Sequence, residues 1–260
     1  MDLKIAGKTA IVTGSTAGIG LAIAERLAAE GVEVTITGRS RGKLDAAAEQ
    51  VGKSGKVRAI LADPATAEGA EALIAAVPDT DILVNNLGIY EAKPFTDITD
   101  ADWHHLFEVN VVSGARLARH YFPKMLAKDW GRIIFISSES SLVIPEEMIH
   151  YGMTKTAQLA IARGLAAQTK GTGVTVNSVM PGPTRSEGIT DFVKSVLPEA
   201  KSEEEGEKLF FEKIRPLSLI KRFIEADEIG AMVAFLASPL AAATNGASLR
   251  AEGGIVPTIA

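Results

Sequence analysis

Short β-branched runs alternate with longer alanine-rich stretches along most of this chain. Period-two or wholly apolar runs predict strands at Thr9–Thr13, Val32–Thr37, Val57–Leu61, Ile82–Asn85, Ile133–Ser137 and Val174–Val179. Apolar positions at helical spacing predict helices at Gly18–Glu30, Lys43–Val51, Ala67–Ala76, Asp100–Lys128, Tyr151–Gln168 and Ala226–Ala237. This alternation predicts a doubly wound α/β fold, a parallel sheet of about seven strands with helices on both faces. Runs such as AIV, ILV and IIFI are apolar throughout, as strands covered on both faces should be. No linker or internal repeat divides the chain, which predicts a single domain over 1–260. After Pro181–Gly182–Pro183 the rhythm lapses; apolar positions in DFVKSVL and GEKLFFEKI suggest an ordered lid at about 183–215. Within it, the run Glu203–Glu204–Glu205 reads as a solvated face.

The 260 residues suffice for one large core, and 47% of them are hydrophobic. A net charge of −5 gives no reason to expect nucleic-acid binding or attachment to an anionic membrane. The chain has no cysteine, which excludes disulfides and thiolate catalysis. No basic-then-apolar leader is evident, and charge, Gly or Pro interrupts each apolar window before the ~20 residues of a membrane span. A cytoplasmic protein is expected. The four histidines lack ligand spacing with carboxylates, so no metal site is expected.

Chemistry begins at Thr13–Gly20, TGSTAGIG, between the first strand and the first helix. Gly14, Gly18 and Gly20 allow a tight turn and bring backbone N–H groups, at a positive helix end, close to a pyrophosphate. The second strand ends in Gly38–Arg39–Ser40, without the carboxylate that holds ribose hydroxyls in NAD sites. Arg39 there offers a cation to a 2′-phosphate, with Ser15, Ser40 or Arg41 as aids, so NADP(H) is favoured and NAD(H) stays possible. Tyr151 and Lys155 lie four apart on one helix face, a phenol with an ammonium beside it to favour its ionised form. Ser138 closes the strand GRIIFISS, and Asn110 lies among valines where burial would require its amide to be satisfied.

In this order, TGSTAGIG, Asp63 after the third strand, NNLG at 85–88, Asn110, Ser138, Tyr151, Lys155 and PGPT at 181–184 resemble the short-chain dehydrogenase/reductase family in its single-domain Rossmann-type form. The 3-oxoacyl-carrier-protein reductase branch is the most similar. The resemblance implies a tetrad: Tyr151 exchanges the proton, Lys155 lowers its pKa and holds the nicotinamide ribose, Ser138 binds the substrate oxygen, and Asn110 anchors a relay water. It implies that Gly14, Ser15, Thr16, Gly18, Ile19, Gly20, Arg39, Asp63, Pro64, Asn86, Gly88, Pro181, Gly182 and Thr184 join Tyr151 and Lys155 around the cofactor. Ser140 and Met148 should border the substrate with Ser138 and Tyr151. Val143, Met148, Ile189 and Phe192 suggest an apolar lining and a partly hydrophobic carbonyl. Arg185 could meet an acidic substrate, and His150 reads as exposed polarity. The family pattern also implies a homotetramer built on the helices at 100–128 and 151–168, and a last strand within the tail NGASLRAEGGIVPTIA. Ala17 and Leu87 depart from it, standing where arginine (in NADP-preferring members) and alanine are usual.

The activity so implied is NADP(H)-dependent hydride transfer between nicotinamide C4 and a small-molecule carbonyl or secondary alcohol. Two alternatives stay open: an NAD-preferring alcohol dehydrogenase, and a nucleotide-binding sensor or scaffold without turnover. A sugar-nucleotide epimerase would need a longer C-terminal substrate domain than this chain has.

Overall fold

A computed structural model describes residues 1–259. Seven parallel strands form one sheet, ordered β3-β2-β1-β4-β5-β6-β7. They are β1 (Thr9–Val12), β2 (Glu33–Gly38), β3 (Val57–Leu61), β4 (Ile82–Asn85), β5 (Gly131–Ile136), β6 (Val174–Pro181) and β7 (Ser248–Ala251). Because successive side chains point to opposite faces, each apolar run feeds two cores. Val12, Ile82, Val84, Ile134 and Ile136 pack beneath α1 (Gly18–Ala29), α2 (Arg41–Gly52) and α9 (Ala226–Ala237). Ile11, Leu83, Ile133 and Phe135 pack beneath α3 (Ala67–Ala76), α5 (Ser113–Ala127) and α6 (Ile149–Ala166). The tail supplies β7 as expected, while its last residue, Ala260, lies outside the described residues.

The expected helix over 100–128 is interrupted. α4 (Asp100–Phe107) runs into a wider π-helical turn at Glu108–Val112, and α5 follows. The interruption coincides with a contact to a distant loop. Asn110, buried on that turn, exchanges hydrogen bonds with the backbone of Ile89: Oδ1 accepts from its N–H at 2.8 Å, and Nδ2 donates to its carbonyl at 2.9 Å. A regular helix would not hold the amide there, and such bulges recur at functional sites.

The segment at 183–215 folds into α7 (Glu187–Val196) and α8 (Glu203–Leu209), and its Val193, Leu197, Phe210 and Phe211 form an apolar cluster with Phe223 beyond it. Glu203, Glu204 and Glu205 are solvated in the first turn of α8, as expected. Among the described residues no helix is long and apolar enough to cross a membrane.

Candidate active site

Strand order reverses between β1 and β4, and the loops leaving the carboxyl ends of β1, β4, β5 and β6 surround a crevice there. Its cavity, ≈ 430 Å³, is lined by Gly14, Gly18, Ile19, Gly20, Asn86 and Gly88 on the nucleotide side. Ser138, Ser140, Met148, Tyr151, Lys155, Pro181, Gly182 and Thr184, all expected at the site, meet in it too.

The glycine loop is packed tightly on itself and on β4. Gly14 has φ of +61°, and a Cβ on Gly20 would sit 2.4 Å from both the Gly14 carbonyl and Asn86 Nδ2. Asn86 Nδ2 ties the loop to β4 by donating to the carbonyls of Thr13 (2.9 Å) and Gly14 (3.1 Å). Helix α1 opens at Gly18 with neither a side-chain cap nor an acidic residue in its first turn. Its leading N–H groups are therefore open to an anion, and the cradle fits a dinucleotide pyrophosphate.

Ser15, Thr16, Arg39, Asp63 and Pro64 lie outside the cavity lining. The Ser15 hydroxyl is fully buried, donating to the Val12 carbonyl (2.7 Å) and accepting from Thr37 N–H (3.0 Å), so it braces the loop. Arg39 projects from the end of β2 with its side chain 83% exposed, 4.0 Å from an Asp63 oxygen. Pro64 is buried, and the Thr184 hydroxyl donates to the Gly182 carbonyl at 2.8 Å.

On the reacting side, Lys155 is buried and donates to the Ile136 carbonyl (3.0 Å) and to Gln158 Oε1 (3.3 Å). Burial lowers its ammonium to about 8, against an opposing pull from Glu139. The Tyr151 phenol moves the other way. Burial, then the Glu139 carboxylate, push it far above the usual phenol range, while hydrogen bonding with Ser138 and the Arg215 guanidinium pull it back. Lys155 Nζ lies 5.6 Å from the Tyr151 ring centre. The expected lowering of the Tyr151 pKa by Lys155 is therefore corrected: burial and Glu139 prevail, and the phenol holds its proton at neutral pH.

Asn110 is nearly fully buried but does not line the cavity. Its Nδ2 also donates to Thr154 Oγ1 at 3.0 Å, and its backbone carbonyl accepts from Gln158 Nε2 at 2.6 Å. Gln158, which sequence reading missed, therefore links Lys155 to Asn110 directly. Its place one turn beyond Lys155 on α6 was the available signal.

Glu139 and Arg215 were missed as well. Both line the cavity as a buried ion pair, with Arg215 Nε 3.2 Å from Glu139 Oε1. The expected apolar lining is correspondingly incomplete: Met148, Ile189 and Phe192 line the wall, and Val143 does not. Tyr90 adds an aromatic edge, its ring centre 6.1 Å from Tyr151 and 5.7 Å from Phe192. Arg185 is outside the lining and pairs with Glu207 (3.0 Å) and Glu225 (3.1 Å). The expectation of an exposed His150 is corrected. It is fully buried, packed against Trp103 of α4 with ring centres 5.9 Å apart, and α6 begins at Ile149, two residues earlier than the periodicity suggested.

A family model described as short chain dehydrogenase matches residues 8–196. The uncharacterized oxidoreductase YvaG of Bacillus subtilis is 47% identical across the whole of both chains. The 3-oxoacyl-[acyl-carrier-protein] reductase FabG of Aquifex aeolicus is 33% identical over 98% of this chain and all of its own. Among solved structures, L-sorbose reductase from Gluconobacter frateurii, complexed with NADPH and L-sorbose, superposes with a TM-score of 0.89 at 30% identity, all of both chains being covered. The chain belongs to the short-chain dehydrogenase family.

Proposed function

We propose that this chain is an NADP(H)-dependent carbonyl reductase in which Tyr151 is the proton donor, the same groups serving alcohol oxidation in reverse. The carrying observation is that Ser138, Tyr151 and Lys155 line one crevice together with an uncapped glycine cradle. A scaffold that only bound nucleotide would have no use for the first two.

In this reading Gly14, Gly18, Ile19 and Gly20 hold the pyrophosphate on the N-terminus of α1, and Thr16, Asp63, Pro64, Asn86 and Gly88 border the adenosine half. Arg39, exposed and only 4.0 Å from an Asp63 oxygen, swings to meet the 2′-phosphate. Lys155 reaches the ribose, and Pro181, Gly182 and Thr184 flank the nicotinamide end. The relative crystallised with NADPH supports NADP(H) over NAD(H).

When bound, the reduced nicotinamide supplies a hydride to the carbonyl carbon. Every other task falls to the chain. Ser138 turns its hydroxyl proton toward the carbonyl oxygen and Tyr151 donates the second hydrogen bond, so the oxygen is polarised before it gains charge. Tyr151 then yields its proton to the nascent alkoxide. A phenol whose pKa is raised by burial enters that step protonated, which suits reduction. Asn110 acts at one remove, fixing the turn to which Gln158 and Lys155 are tied. Met148, Ser140 and the lid helix α7 close over the substrate and keep water out. The exposed faces of α4, α5 and α6 would join copies of the chain into a homotetramer.

NADPH oxidation over a panel of ketones tests the reading. Turnover with NADPH, lost by at least about 100-fold in Tyr151→Phe with cofactor affinity retained, is expected. A panel inert with both NADPH and NADH, or full activity in Tyr151→Phe, would refute it.

A further inference from the structure

The Ser138 hydroxyl already has partners within the crevice. It donates to Glu139 Oε2 at 2.5 Å and accepts from Ser140 N–H at 3.1 Å. Glu139 is only 4% exposed, and its other oxygen accepts from Arg215 Nε at 3.2 Å. Arg215, 9% exposed, passes a second hydrogen bond to Glu147 Oε1 at 3.3 Å. Buried ion pairs are poor stabilisers compared with apolar packing, so this one gives the fold little reason to keep it.

A hydroxyl has one proton to give. When Ser138 turns toward a substrate oxygen, Glu139 Oε2 is left buried without its donor, which is unfavourable unless the substrate replaces it. The replacement must be an O–H close to the reacting oxygen. Vicinal oxygens of an α-hydroxy ketone lie about 2.8 Å apart, roughly one hydrogen-bond length. Ser138 Oγ and Glu139 Oε2 are likewise direct hydrogen-bond neighbours. The carbonyl can accept from Ser138 while the neighbouring hydroxyl donates to Glu139. Charge narrows the choice, since two carboxylates, Glu139 and Glu147, share the single Arg215 guanidinium. An anionic group on that carbon would stand directly against the buried Glu139 carboxylate.

We propose that Glu139 is a specificity-determining residue that accepts a hydrogen bond from the hydroxyl adjacent to the reacting carbon, making neutral α-hydroxy ketones, and the vicinal diols formed from them, the preferred substrates. This rests on the reductase reading above. Arg215 holds the carboxylate in place, and the lid carries the specificity because it ends in that arginine.

The test compares 3-hydroxy-2-butanone with 2-butanone, which differ only in the hydroxyl, as the ratio of their kcat/KM values with NADPH. The unaltered protein should favour the hydroxylated ketone by at least about tenfold. The double variant Glu139→Leu/Arg215→Met removes the pair without stranding a buried charge, and should bring the ratio to within about threefold of unity. The ratio cancels any general loss of activity, and NADPH binding reports folding; should the double variant fail to bind it, Glu139→Gln serves, with the ratio lowered in the same sense. Equal efficiency on the two ketones, or a variant that keeps the preference, overturns the proposal while leaving the reductase reading intact. Failure to reduce any ketone of a wide panel overturns both.

Discussion

Lys155 should make the protein more stable as pH rises from neutrality, against the usual trend. Its ammonium is held at about 8 in the folded chain against 10.5 when exposed. Between those values the unfolded chain carries a proton that the folded chain lacks, so stability increases with pH across that window. At neutral pH the buried ammonium costs about 3 kcal/mol, and some 2 kcal/mol of this is recovered between roughly pH 7 and 9.5. For a domain of this size, that corresponds to about 4–8 °C in Tm. Lys155→Met removes the titration. It also strips a donor from the Ile136 carbonyl and from Gln158 Oε1, a loss that does not vary with pH. Differential scanning fluorimetry of both proteins, without cofactor, should therefore give a Tm difference that moves by about 4–8 °C in favour of the unaltered chain from pH 7 to 9.5. Other groups titrate alike in the two proteins and cancel. Tyr151 intrudes only above its ordinary value of 10, where its raised pKa withdraws stability as pH rises. A Tm difference constant with pH would refute the assignment of a destabilised ammonium.

Two further perturbations probe the supports of the site. Gly20→Ala places a Cβ 2.4 Å from the Gly14 carbonyl, so the loop must shift, and NADPH affinity measured by fluorescence titration should fall at least about tenfold with the fold intact. Gln158→Leu leaves the Asn110 carbonyl and Lys155 each short of a partner and should lower stability by about 1–3 kcal/mol in urea unfolding, with kcat falling more than NADPH affinity.

The middle of the sheet was legible because β4 and most of β5 are apolar on both faces, and the edge strand β3 because β-branched and apolar residues are bounded by turn residues. Val57–Leu61 and Ile82–Asn85 match their runs residue for residue. The π-helical turn at Glu108–Val112 was hidden, since nothing in EVNVV opposes a regular helix locally; the long-range bond from Asn110 to Ile89 opens it. Residues on motif loops and on one face of α6 could be grouped in advance because sequence spacing fixes their geometry. Arg215 could not. It meets Glu139 from 76 residues away, across a lid whose path the pattern does not encode. His150 misled for a related reason, its burial depending on Trp103 from another helix.

In the proposed reaction this crevice passes hydride to a carbonyl carbon while Tyr151 supplies the proton. Deuterium at the transferable position of NADPH C4 can be followed by NMR into the alcohol produced from a ketone. Label on the carbinol carbon from the unaltered protein, and none above background from Tyr151→Phe under the same conditions, is the predicted outcome. Equal labelling by the two proteins, or NADPH consumed without label reaching the product, would contradict it.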